Sequence, residues 1–89
     1  MACIDTDLLE QFELDAKDGR TDALYNLGLA YSTGQGTGID LVAAHKWFNL
    51  AAIRGIDAAR RWRNQLALEM SVRQIAEAQK LAREWLTLR

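Results

Sequence analysis

Phe12-Glu-Leu-Asp-Ala-Lys-Asp-Gly19 returns thirty-six positions later as Phe48-Asn-Leu-Ala-Ala-Ile-Arg-Gly55, with Phe, Leu, Ala and Gly at the same four places. The residues beyond each glycine echo too, Asp22-Ala23 after the first and Asp57-Ala58 after the second. A period in the middle thirties marks helix–turn–helix units stacked as a solenoid, because each unit buries its apolar face only against a neighbour. Stacked helix pairs display surfaces for partners, and little else in the chain is equipped to run a reaction.

The surrounding composition agrees. The chain has 89 residues, 49% of them hydrophobic, with three Trp, two Tyr and two Phe to fill a core. That is the content of one globular domain spanning residues 1–89, near the lower size limit for a core without staples. Proline is absent, helix formers dominate, and β-branched residues never cluster, so an all-α fold is expected. Cys3 is the only cysteine, which excludes an internal disulfide and a cysteine metal cluster. Met1–Asp7 lacks the basic and apolar regions of a secretory signal, and no run reaches the length of a spanning helix. A soluble, cytoplasmic protein is the expectation.

The net charge of −1 conceals an asymmetry: residues 1–45 carry eight acidic and two basic side chains, residues 46–89 four and nine. Three arrangements use it: charge pairing between the halves, head-to-tail homo-oligomers, or a basic face for nucleic acid.

Five helices follow from spacing and punctuation. The first covers residues 6–17, capped by Asp5 or Thr6 and ended by Gly19, with Leu8, Leu9, Phe12 and Ala16 inward. The second starts at a Thr21 cap and turns Ala23, Leu27, Ala30 and Tyr31 inward; Gly28 inside it marks a close helix approach. Gly34-Gln-Gly36-Thr-Gly38 turns the chain back; no strand precedes it and no Gly-Lys-Ser/Thr follows, so it is no phosphate cradle. Asp40 caps the third helix, which buries Leu41, Ala44, Trp47, Phe48, Ala51 and Ala52 and stops at Gly55. The fourth, residues 57–69, takes Asp57 as its cap and places Ala58, Trp62 and Leu66 inward. Ser71-Val-Arg-Gln74 is a capping-box pattern opening the fifth, residues 71–88, with Val72, Ile75, Ala76, Ala82, Trp85 and Leu86 along it.

Asp22-Ala23-Leu24-Tyr25-Asn26-Leu27-Gly28, then Tyr31, Gly34, Gly36, Asp40, Ala44, Trp47, Phe48, Ala51-Ala52 and Gly55, resembles a Sel1-like repeat, a relative of the tetratricopeptide repeats with a longer turn. The resemblance covers one whole repeat, residues 21–55. Helix 1 is similar to the second helix of a preceding repeat, helix 4 to the first of a following one, and Met70–Trp85 to the tail of bacterial members. Thr37 stands where the family's usual valine follows the second loop glycine, with an additional Gly38, and Arg63-Asn64 replaces a Leu-Gly pair in helix 4. The resemblance implies a short right-handed α-α superhelix, one complete repeat between half-repeats and capping helices. It implies a small bacterial protein–protein interaction module, often an adaptor.

Catalysis finds no support. His45 is the only histidine and reads as a surface or boundary residue of an amphipathic helix, since a triad or metal site needs converging partners. Asp5/Asp7 and Glu10/Glu13 are spaced as ordinary surface charges, and Cys3 has no activating neighbour. No motif requires a cofactor or a metal, and a membrane partner is not expected. Trp47, Trp62 and Trp85 fall on inward stripes, Trp85 being the one placed to anchor another molecule. The candidate binding residues line the hollow of the stack: Asp22, Tyr25, Asn26, Leu29 and Ser32 on helix 2, with Arg60, Arg61 and Asn64 on helix 4. Such a face can grip a peptide backbone or an acidic group. Arg54, Arg60, Arg61 and Arg63 form the alternative strip for nucleic-acid phosphates, disfavoured by the near-zero net charge.

Overall fold

A computed structural model describes residues 6–88, the side chain of Thr6 excepted. The five helices are α1 (Thr6–Lys17), α2 (Thr21–Thr33), α3 (Leu41–Ile53), α4 (Asp57–Ala67) and α5 (Val72–Thr87), an all-α helical repeat with no strand among the described residues. The caps expected from Asp5 or Thr6, and Cys3, fall outside the described side chains.

The duplicated octapeptide builds the same corner twice. In the first, Gly19 N–H donates to the Ala16 carbonyl (3.0 Å) and Arg20 N–H to that of Asp15 (3.1 Å). In the second, Gly55 N–H donates to Ala52 (2.9 Å) and Ile56 N–H to Ala51 (3.2 Å). Gly19 and Gly55 sit at φ 85° and 100°, left-handed values that reverse the chain while satisfying the last carbonyls. Both corners release the next helix at the following residue but one, so Thr21 and Asp57 are first helical residues rather than caps. The cap positions fall to Arg20 and Ile56, in extended backbone with no side-chain capping bond. Asp40 does cap α3, its carboxylate accepting from Ala43 N–H at 3.0 Å.

The core is the alanine-and-aromatic seam between α2 and α3. Leu24, Leu27, Phe48 and Leu50 are its fully buried large side chains, and the ring of Phe48 lies on the backbone of Gly28. α1 packs on the other flank of α2 through Leu9 and Ala16, while Leu8, expected inward, is exposed. α4 and α5 both pack on α3, and α5 does so rather than on α4. A capping box starts α5: Gln74 N–H donates to Ser71 Oγ (3.1 Å) and Ser71 N–H to Gln74 Oε1 (2.9 Å). Its seam is Ile75, Ala78, Ala82 and Trp85; Val72, Ala76 and Leu86 are exposed, because a helix packed mainly on one neighbour buries a narrow stripe.

Tyr31, Leu41 and Ala52, expected inward, are half-buried, and the burial expectations for Ala58, Trp62 and His45 fail as well. In α4 the buried residues are Ala59 and Leu66, whereas Ala58 is only half-buried and Trp62 is 46% exposed. In α3, His45 is 3% exposed instead of lying at a boundary. It is the repeat equivalent of Leu9, which is also buried, so the fold takes up the imidazole at a position that suits a hydrophobe.

α4 differs from α2 where α2 receives its partner helix. Leu24 and Gly28, both buried in α2, correspond to Arg60 and Asn64, both exposed in α4. A polar flank at this point is how a helical stack is capped.

Candidate partner-binding face

Residues three and four apart share a helix face, so Asp22, Tyr25, Asn26 and Leu29 line one side of α2, with Ser32 a turn further on. The repeat of thirty-six carries those first four positions to Ala58, Arg61, Trp62 and Gln65. These four residues line a surface hollow of about 550 Å³ on α4. Of the candidates expected on α4, only Arg61 belongs to it. Arg60 and Asn64 lie on the polar flank, equivalent to Leu24 and Gly28; the Asp57-Ala58 echo is one residue out of register with the thirty-six-residue repeat. Applying the octapeptide's own spacing to the α2 list finds Ala58, Trp62 and Gln65.

Three aromatic rings join the two helices through α3. Tyr25 tilts against Phe48 (centroids 5.8 Å, 59°), and Trp62 stacks on Phe48 as well (6.4 Å, 17°). The Trp62 indole N–H donates to the Tyr25 hydroxyl across 3.2 Å. Trp62 therefore has one apolar face on a buried ring, its polar atom satisfied, and much of its remaining surface in water, the amphipathic use that suits tryptophan at interfaces.

The charges around this face differ in their engagement. Asp22 pairs with Arg20 (3.6 Å) and Asp57 with Arg60 (3.5 Å), both in full view of solvent and worth little to stability. Arg63 turns inward, donating to Asn49 Oδ1 at 2.7 Å and to Asn64 Oδ1 at 3.2 and 3.3 Å. Arg54 donates to the Gly19 carbonyl at 3.1 Å, closing the first corner. The four arginines of the phosphate strip are thus not brought onto one face. Arg61 alone of them makes no ion pair or hydrogen bond among the described residues, and it lies exposed at the hollow. Ser32 is occupied locally, its hydroxyl donating to the Leu29 carbonyl at 3.1 Å.

A second hollow, about 340 Å³, lies where α1, α2, α3 and α5 converge, bounded by Glu13, Tyr31, Lys46, Trp47 and Trp85 among others. Trp85 is half-buried and meets Trp47 edge-on (5.7 Å, 79°). The Tyr31 hydroxyl donates to Glu13 Oε1 at 3.1 Å; burial, then that carboxylate, pushes the phenol above its ordinary value. Lys46 rests over the Trp47 ring at 4.2 Å, a cation–π contact, and burial lowers its ammonium while Glu13 opposes the shift. Glu13 is therefore a structural acceptor; Asp7 and Glu10 are exposed, and Asp5 is outside the described residues.

His45 Nδ1 is buried with no hydrogen-bond partner among the described residues. Burial, with the Arg63 cation adding to it, holds its imidazole below the usual range. No group of three or more potential ligands converges for a metal among the described residues, and no helix there is long and apolar enough to cross a membrane.

No protein-family model matches the chain, and no curated protein matches it. Among solved structures it is similar to a protective antigen present in uropathogenic Escherichia coli strains displaying an SLR fold, with a TM-score of 0.87 and 23% identity over 93% of this chain. The chain spans 18% of that antigen's length. The five helices therefore have the Sel1-like repeat fold.

Proposed function

We propose that this chain is a non-catalytic, cytoplasmic module of bacterial type that binds a protein or peptide partner across the α2–α4 face, the hollow side of its stack, in an adaptor or regulatory role. The observation that carries this reading is the placing of Trp62. A half-exposed tryptophan, fastened by Tyr25 and flanked by an unengaged Arg61, combines the residue types enriched at interaction hot spots. The stacking of helix pairs supports it, since equivalent side chains of successive units fall on one continuous face. Asp22, Asn26, Leu29 and Ser32 extend that face along α2.

The test is affinity capture followed by crosslinking, comparing the native chain with Tyr25→Ala, Arg61→Ala and Trp62→Ala and with Arg60→Ala and Asn64→Ala. The first three are expected to lose the captured partner and the last two to keep it. Equal capture by all five variants rejects this face.

A further inference from the structure

We infer that the occupant of the α4 hollow is an acidic peptide segment, with a carboxylate at Arg61 and an aliphatic side chain on Trp62. This rests on the proposed α2–α4 binding face and names its partner's chemistry. The four residues lining the hollow are one cation, one indole, one amide and one methyl, with no carboxylate among them. The nearest acids along both helices are already matched: Asp57 by Arg60 and Asp22 by Arg20. Arg61 is therefore left with an unopposed guanidinium, whose planar fork suits a carboxylate.

Tyr25 supplies the second element. It is the repeat equivalent of Arg61, so the two occupy the same position on successive inner helices. Its hydroxyl oxygen accepts from Trp62, which leaves the phenolic proton for an acceptor from outside; no acceptor for it is found among the described residues. A donor and a cation in register, with an apolar ring beside them, recognise an acceptor-rich anionic chain carrying an aliphatic neighbour. A basic segment meets Arg61 as a like charge, and a wholly apolar one leaves both donors unpaired.

The experiment is fluorescence anisotropy with two short labelled peptides, one alternating leucine with glutamate and the other alternating leucine with glutamine. The acidic peptide is expected to bind about tenfold tighter, the effect of one charge-assisted hydrogen bond. Raising salt should narrow the difference, and Arg61→Gln should abolish it, with circular dichroism verifying the fold. Trp62→Ala should weaken both peptides. Equal binding of the two peptides to the native chain overturns the acidic assignment and leaves the binding face standing. Acid-selective binding that ignores both Arg61→Gln and Trp62→Ala overturns the assignment and the face together. Failure of both peptides to bind at about 1 mM, the weak end of specific affinity, also overturns the acidic assignment, while the capture variants judge the face separately.

Discussion

The Phe48 ring occupies the space where a side chain of Gly28 would begin: a Cβ there would stand 2.5 Å from Phe48 Cδ1 and 2.6 Å from Cε1. Phe48 is fully buried and packed against both Tyr25 and Trp62, so it has little room to yield. Gly28→Ala should destabilise the fold by about 1–3 kcal/mol, despite the helix propensity gained. Gly38 has open space around it and no positive φ, so Gly38→Ala should be neutral or stabilise by about 0.4–1 kcal/mol. Urea unfolding of the two variants checks the contrast.

Trp47 and Trp62 should respond differently to truncation. Trp47 is 7% exposed within the core, and Trp47→Ala should cost about 3–5 kcal/mol, much of a small domain's stability. Trp62→Ala removes a half-exposed ring and one exposed hydrogen bond and should cost about 1–2 kcal/mol. Thermal melts should show a cooperative transition for the second variant and a lost or greatly lowered one for the first.

His45 makes stability sensitive to acid. Its pKa is held below the ordinary 6.5 in the folded chain, first by burial and then by Arg63, so the unfolded chain takes up the proton more readily. The contribution is fully present above about pH 6.5 and is lost as pH falls from there through the folded value. His45→Leu, which copies the repeat-equivalent Leu9, should reduce the fall in urea midpoint between pH 7.5 and 5. An unchanged pH slope in this variant would assign the acid sensitivity elsewhere.

The capping box of α5 is reciprocal, so removing Ser71 Oγ strands the Gln74 N–H. Ser71→Ala should cost about 0.5–2 kcal/mol. Because α5 packs on α3 alone among the larger helix contacts, the loss should be local. Hydrogen exchange should rise across residues 72–78 more than across α2.

How far the sequence could be read depended on whether a feature is local or shared between helices. Gly19, Gly34, Gly55, Asp40 and the Ser71/Gln74 box mark helix limits through their own backbone geometry, and the structure agrees with each. The resemblance at residues 21–55 fixed the repeat fold correctly. What failed was register. Asp57-Ala58 looks like Asp22-Ala23, yet the corner hydrogen bonds put Ala59 opposite Ala23, a turn of about 100° that displaces Ala58, Trp62, Arg60 and Asn64 from their expected places while Leu66 is buried as expected. That one slip put Trp62 in the expected core, and Arg60 and Asn64 beside Arg61 rather than on the polar flank. Only Tyr25 and Arg61, among the candidates, are placed at or beside the α4 hollow. The burial of His45 had no local signal, and its equivalence to Leu9 was the available clue.

Arg60 and Asn64, replacing Leu24 and Gly28, have a consequence for growth. Arrays of this sort lengthen when one brick offers the next a greasy, close-fitting joint, and here the matching side of α4 is faced with a guanidinium and an amide. On that side α4 offers no joint of the kind α2 offers, and α5 lies back against α3 instead.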